Sequence, residues 1–275
     1  MIVAIITGVF LEAILLAVGV LVYLDIMKLR GEIKRLASTS KKITAKSSKA
    51  IAALQFPLPV KRYLEKVLPE KDLDHRMAVL RQSGKIKVRD KYRSFNAEQY
   101  FSLERPGFIW IASVKLFKVF WINARDKYID QKAQMLIKLL SAFRIEKRSA
   151  KELDISALIR YFMEIVWFPF LFADESKITW EAAGSDKAKG TIKDGSLSGT
   201  ATFIFGKDHL VSSINTEDRF MAKKDRYIKA GYRAKLSEYK RLDGCLIPTK
   251  VCLYWVDGPR QEKTLEIEIT HLRYI

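Results

Sequence analysis

The sequence has almost no cysteine and very little histidine. Its 275 residues hold two cysteines, Cys245 and Cys252, and three histidines, His75, His209 and His271. On one extended strand the cysteines would lie roughly 23 Å apart at ~3.3 Å per residue, beyond the ~7 Å Cα separation a disulfide tolerates. No intrachain bridge is expected, and the pair reads as two small apolar residues. The histidines are dispersed, none is near a cysteine, and no H-x-x-x-H or C-x-x-C spacing occurs, so no metal site is expected. G-x-S-x-G, P-loop and G-x-G-x-x-G patterns are missing too, which leaves nucleophilic and nucleotide-dependent chemistry without a motif. No catalytic residue and no cofactor is assigned. No nucleic-acid module accompanies the aromatic and basic residues, and no nucleic-acid partner is expected.

Basic side chains are also missing from residues 1–25, whose only charges are Glu12 and Asp25. Ile2 to Leu24 is instead an apolar run, interrupted by Glu12, of the length a bilayer core demands. A cleaved signal would show a basic n-region, a shorter apolar core and an A-x-A-like site. The run therefore reads as an uncleaved transmembrane anchor over 1–27. Ala4 and Gly8 with Glu12 one turn on form a weak small-xxx-small pattern. A single tolerated acid in a strong span is the plainer reading.

The next segment is the opposite in character. Residues 26–50 carry eight Lys or Arg, Lys28, Arg30, Lys34, Arg35, Lys41, Lys42, Lys46 and Lys49, against Glu32 alone. Residues 28–55 read as a basic juxtamembrane stalk, helical or flexible, with little core of its own. By the positive-inside rule this flank is cytoplasmic, and it suits anionic headgroups. The whole chain carries a net charge of +18, which fits phosphate-bearing partners and also simple solubility.

Residues 56–275 read as one β-rich soluble domain. Pro59 opens a short amphipathic helix, Val60 to Leu68, with apolar Val60, Tyr63, Leu64, Val67 and Leu68 at helical spacing. From Arg76 the period becomes two. Phe108 to Phe120 is almost continuously apolar and reads as a strand or hairpin buried on both faces. Tyr128 to Leu140 fits strands better than helix. Ala150 to Trp167 is the clearest helix of the domain, with Leu153, Leu158, Phe162 and Val166 marking its buried side. Strands then alternate with turns such as Asp194-Gly195, Asp243-Gly244 and Asp257-Gly258. In the last strand the alternation flips at His271-Leu272, which signals a bulge or a change of face. The expected fold is α+β, mainly β: a strongly curved antiparallel sheet, an unclosed barrel, with a helix packed across it and an N-terminal transmembrane helix.

The richest cluster for chemistry is Arg160-Tyr161-Phe162-Met163-Glu164-Ile165-Val166-Trp167-Phe168-Pro169. Arg160 and Glu164 are four apart and share a helix face. An ordinary ion pair beside an aromatic helix end explains them. A helix that covers a curved sheet would instead point Arg160, Glu164 and Trp167 into a cavity.

Several segments resemble one known set. Leu58-Pro59-Val60-Lys61-Arg62-Tyr63-Leu64 resembles an L-P-x-x-V-x-R-Y-L opening, compressed by one residue. Phe95-Asn96-Ala97-Glu98-Gln99, Pro106-Gly107-Phe108-Ile109-Trp110 and Asp126-Lys127-Tyr128 resemble F-x-A-E-Q, P-x-F-x-W and D-x-Y. Arg160-Tyr161 through Glu164, with Trp167-Phe168-Pro169, resembles the helix motif R-Y-x-x-E-x-x-W-F-P. Tyr239, Asp243-Gly244 and Ile247-Pro248 resemble a closing Y-x-x-x-x-G-x-x-I-P. The set is that of a bacterial domain family of unknown function that often carries an N-terminal span. It covers roughly residues 55–275. In place of a Gly-rich turn after D-x-Y this chain has Ile129-Asp130-Gln131. The closing strands are also similar to the periplasmic lipoprotein-carrier half-barrel, which implies an apolar cavity under a helical lid and an extracytoplasmic location.

The leading expectation is a non-enzymatic, membrane-anchored module that binds a lipid or another amphiphile. Trp110, Arg160, Tyr161, Glu164, Trp167 and Phe168 are its expected ligand contacts. A hydrolase using Glu164 with Asp126 or Glu98 is the alternative, and a structural membrane scaffold without ligand is the third reading. Oligomeric state is not legible.

Overall fold

The computed structural model describes residues 2–40, 43–45, 55–69, 73–117, 120–223 and 226–275. Thirteen strands form one antiparallel sheet, and a two-stranded ribbon pairs β1 (Ile43–Ala45) with β2 (Leu73–His75). The sheet is two meanders. The first comprises β3 (Met77–Val88), β4 (Lys91–Ser102), β5 (Phe108–Lys115), β6 (Trp121–Ile129), β7 (Lys132–Leu139) and β8 (Phe143–Arg148). The second comprises β9 (Ile178–Ala182), β10 (Lys187–Asp194), β11 (Leu197–Phe205), β12 (Val211–Lys223), β13 (Arg226–Leu242), β14 (Cys245–Asp257) and β15 (Arg260–Tyr274). They are fused where the first strand of one pairs with the last strand of the other, β3 with β15. This leaves β8 and β9 as the two free edges, so the sheet curls without closing.

That topology explains the helix. Between β8 and β9 the chain must pass from one edge of the sheet to the other, and it crosses the concave face. The crossing is α3 (Lys151–Glu164) with two 3-10 turns, Ile165–Trp167 and Pro169–Ala173. Acidic Glu152 and Asp154 sit in the first turn of α3, where the helix dipole favours them. Asp154 also accepts the Ala133 amide at 2.6 Å and so ties the helix start to β7. The helix touches β6 and β7 on one side and β10 to β12 on the other, which is possible because the sheet wraps it. Two glycines let it sit close: a Cβ on Gly199 would lie 2.1 Å from Ile159, and one on Gly190 would lie 2.4 Å from Phe162.

Alternation holds best in β11, where every second residue from Leu197 to Phe205 is buried. The expected irregularity near His271 is a register slip between Ile269 and His271 against β3. The helix anticipated after Pro59 is α2 (Leu58–Val67), with its apolar stripe fully buried. Cys245 and Cys252 both lie on β14 as free thiols. One end of the concavity is filled by aromatic rings, with Phe101 stacked on Tyr161 and tilted against Phe168, both at 4.4 Å, and Tyr63 5.1 Å from Phe172.

Three segments differ from expectation or from the pattern the chain resembles. First, the stretch Phe108 to Phe120 is not buried throughout. β5 ends at Lys115, and Phe117 and Phe120 are exposed. Second, the turn at Asp130-Gln131 forms without glycine. Both residues take positive φ, 51° and 63°, as do Leu140 and Ser141 at 52° and 63°. Leu140-Ser141 separates β7 from β8, a strand whose turn carries no glycine signal. Third, the segment following the apolar run does contribute core. α1 runs unbroken over Ile2–Thr39 and is long and apolar enough to cross a membrane. Its last turns pack on the convex face of the sheet, where Leu36 is buried with Met77, Ile109 and Ile129. Asp25 binds Arg125 and Lys138, both at 2.7 Å, and Glu32 binds Lys127 at 2.7 Å and Arg125 at 3.3 Å. Lys41, Lys42, Lys46 and Lys49 lie outside the described residues.

Candidate functional site

The concave face is divided by α3. The aromatic plug fills the end beneath α2 and the 3-10 turns. On the other side lies a cavity of about 210 Å³ whose lining includes Trp110, Asp126, Arg160, Glu164, Arg219 and Tyr232. A second cavity of about 140 Å³ adjoins it and shares Asp126, Arg160 and Arg219. Apolar Ile86, Met163, Leu253, Leu265 and Ile267 complete the larger one.

A single hydrogen-bonded chain runs through its wall. Trp110 Nε1 donates to Gln82 Oε1 at 2.9 Å, and Gln82 Nε2 donates to Gln99 Oε1 at 3.2 Å. Gln99 Nε2 donates to Glu164 Oε2 at 2.6 Å. Arg160 Nε donates to the other Glu164 oxygen at 2.8 Å, while Arg160 Nη1 reaches Asp126 Oδ2 at 3.0 Å. Each step is forced by local structure. Gln82 and Gln99 are diagonal neighbours on β3 and β4, Gln82 opposite Ala97 and Gln99 opposite Leu80, and strand alternation turns both inward. Trp110 and Asp126 are cross-strand partners on β5 and β6. Arg160 and Glu164 are one turn apart on α3.

The Arg160 guanidinium lies over Phe108 at 4.6 Å and Trp110 at 5.2 Å, and Arg219 lies over Tyr232 at 4.2 Å and Trp255 at 5.7 Å. Both are cation–π arrangements in a partly dry site. The two arginines differ in their partners. Arg160 is held by two carboxylates. Arg219 has no ion pair among the described residues, and its Nε is buried without a hydrogen-bond partner. Arg219 follows a register slip in β12 between Thr216 and Arg219, which re-aims its side chain. The neighbouring Phe220 amide donates to Ser156 Oγ of α3 at 2.8 Å, which fixes that stretch of strand against the helix.

Burial raises the pKa of Asp126, opposed by Arg160 and Arg219. Its side chain lines the cavity and keeps 34% of its surface. Burial would lower the pKa of Arg160, and Glu164 and Asp126 more than offset this and raise it. Burial lowers the pKa of Arg219, although a guanidinium keeps its proton even so.

Of the six expected contacts, Trp110, Arg160 and Glu164 line the cavity. Tyr161, Trp167 and Phe168 are placed in the packed core. The Tyr161 hydroxyl donates to the Ser102 carbonyl at 3.1 Å and the Trp167 indole to the Pro248 carbonyl at 3.1 Å. Glu98 does not join Glu164. Its neighbour Gln99 points inward, so Glu98 points outward, where it accepts the Tyr100 hydroxyl and pairs with Arg81 at 3.5 Å. Arg219, Gln82 and Gln99 were not anticipated. The charged run Glu217-Asp218-Arg219, interrupting an alternating strand, was the available signal for the first. No group of three or more His, Cys, Asp or Glu side chains is arranged to hold a metal among the described residues.

Five residues from four separately recognised segments, Gln99, Trp110, Asp126, and Arg160 with Glu164, thus meet in one network. The chain matches a family of unknown function, DUF6920, over residues 54–274. It belongs to that family. No curated protein sequence matches it significantly. Among solved structures, a domain from Vibrio parahaemolyticus named for outer membrane lipoprotein sorting is similar at 10% identity, with a TM-score of 0.38, covering 72% of this chain and 85% of that one. A LolA-superfamily protein from Nitrosomonas europaea is similar at 6% identity, with a TM-score of 0.43, covering 81% and 94%.

Proposed function

We propose that this family member is a membrane-anchored, non-enzymatic module that binds an amphiphile in the concavity of its sheet, with an anionic group of the ligand on Arg219. The observation that carries the reading is Arg219 itself. A guanidinium held against two aromatic rings at the wall of a cavity, with no ion pair among the described residues and a buried Nε lacking a hydrogen-bond partner, is a cation offset only by the more distant Asp126 and Glu164. Leaving a charge buried and unpaired is costly, and an incoming carboxylate, sulfate or phosphate removes that cost with bidentate geometry. Ile86, Leu253, Leu265 and Ile267 supply an apolar wall for a chain. At about 210 Å³ the cavity is below the ~300–1,000 Å³ of drug-sized ligand pockets. It suits one slender chain rather than a whole diacyl lipid. Paired-carboxylate hydrolysis fits less well, because Glu164 and Asp126 are both engaged by Arg160.

The test uses the full chain, purified in mild detergent and examined by native mass spectrometry after the micelle is stripped. A retained amphiphile near one per chain, lost in Arg219→Met, supports the reading. A bare mass for the unaltered chain after incubation with total cell-lipid extract sinks it. Residues 1–27 anchor the domain in this reading, and the excess of Lys and Arg over 28–55 supports a cytoplasmic side. An active alkaline phosphatase fused after Ile275 would put it on the other.

A further inference from the structure

The path of α1 along the sheet carries information that the cavity does not. Arg35 bonds Asp130, Leu36 packs on Ile129, Glu32 reaches Lys127 and Arg125, and Asp25 reaches Arg125 and Lys138. Going backward along α1, its partners go backward along β6, so helix and strand run side by side in the same direction. Lys138 is the cross-strand partner of Asn123, which sets Asp25 level with residues 123–125. From there to Trp121 is about 10 Å of strand at ~3.3 Å per residue. That is about seven residues of helix at ~1.5 Å each, so Trp121 lies level with Val18. Exposure agrees: Val18 and Val22 are partly covered, while Ile14, Leu15 and Leu16 are exposed. Val18 is six residues inside the apolar run Ile2 to Leu24, about 9 Å below its end.

This end of the sheet is where the β3–β4, β5–β6 and β7–β8 turns cluster. Arg93 of β4 donates to the Leu116 carbonyl at 2.9 Å, and the Leu140 amide donates to the Trp121 carbonyl at 3.1 Å. The turns carry Phe117 at 69% exposure, Phe120 at 47%, Trp121 at 38%, Phe143 at 50% and Ile145 at 57%. Exposed Lys91, Lys115 and Arg144 accompany them, against Asp90. A patch of exposed rings beside a helix of membrane-spanning length, rimmed by cations, has the composition of an interfacial aromatic belt.

We propose that these three turns insert into the leaflet from which α1 emerges, carrying Phe117, Phe120, Trp121, Phe143 and Ile145 into the boundary between headgroups and acyl chains. The inferred depth of about 9 Å lies within the ~5–10 Å of interfacial burial. The ion pairs of Asp25 and Glu32 lock the domain against its anchor in this posture. The cavity lies between α3 and the same turns, since Ile86, Leu253 and Leu265 come from the ends of β3, β14 and β15 that lead into this edge. The insertion does not depend on the amphiphile reading and survives its failure.

The experiment is depth-dependent quenching of the full chain in vesicles of phosphatidylcholine and phosphatidylglycerol, with bromine on the upper acyl chain. Trp110 and Trp167 are buried and Trp180 and Trp255 partly so, so Trp121 should dominate. Trp121→Phe is expected to remove most of the quenchable emission. A Phe117→Ser, Phe143→Ser double variant, which alters only exposed side chains, should weaken quenching of Trp121 at unchanged thermal stability. Equal quenching with and without Trp121 would overturn the proposal. So would a Trp121 that aqueous iodide quenches in vesicles, or one shielded from both quenchers by a second copy of the chain.

Discussion

Replacing Arg160 by methionine tests whether the polar chain in the wall is a single electrostatic unit. The substitution keeps a side chain of similar length against Phe108 and Trp110 but removes the cation bound by Glu164 and Asp126. Breaking a buried pair by deleting one partner costs about 3–5 kcal/mol. Asp126 keeps 34% of its side-chain surface, so screening puts the expected loss at the low end, about 3 kcal/mol. For a domain of this size that is a fall in Tm of roughly 6–12 °C at neutral pH. The deficit must also depend on pH. Burial already raises the pKa of Asp126 against the opposing Arg160 cation, and removing that cation raises it further above its unfolded value. A carboxylate whose folded pKa is raised gains stability as pH falls through that value. The gap between variant and parent should therefore narrow from pH 7 to pH 5. Adding Glu164→Gln to Arg160→Met should recover part of the loss at pH 7, while Glu98→Gln on the convex face should change little. Thermal unfolding of the detergent-solubilised chain reads all four. A Tm drop under 2 °C, or a deficit equal at both pH values, would refute the reasoning.

Other outcomes follow from the same geometry. Gly84→Ala would place a Cβ 1.8 Å from the Glu266 carbonyl oxygen, forcing β3 and β15 apart where the two meanders join. A loss of about 3 kcal/mol is expected in denaturant melts. Arg219→Met should leave Tm unchanged or raise it, because it removes a partly buried charge that no ion pair holds among the described residues, while abolishing retention of an anionic amphiphile. Leu36→Ala should loosen α1 from the sheet and speed protease cleavage between α1 and β3 by about 30-fold, the equivalent of roughly 2 kcal/mol. Burial would raise the pKa of Asp218, but the Thr200 hydroxyl and amide and the Lys229 ammonium outweigh it and hold the carboxyl low. Its contribution is present above the usual aspartate value and is lost as pH falls through the lowered one. Asp218→Asn should therefore cost stability at pH 7 and nothing once both forms are neutral, read by Tm against pH.

The sequence by itself determined the local periods and their punctuation. An apolar run of bilayer length, strict alternation in β11, the helical stripe of α3 and the reversal at His271 are written residue by residue. Each depends only on which side of one element meets water. The polar site was half legible for the same reason. Arg160 and Glu164 declare themselves by i,i+4 spacing, and Trp110 and Asp126 by short motifs. Only the tertiary structure decided which of these share a space. It put Trp167, Phe168 and Tyr161 in the packed core, sent Glu98 to the convex face and brought Arg219 to the cavity through a bulge. None of this can be read from a period, because a period reports that a face is covered and not by what. The pairing of β3 with β15 joins residues nearly two hundred positions apart, and register at that range is set by packing rather than by neighbours in the chain. The docking of α1 belongs to the same class. Asp25 at the end of the apolar run and Glu32 in the basic flank read as stray acids until the folded sheet sets Arg125, Lys127 and Lys138 opposite them.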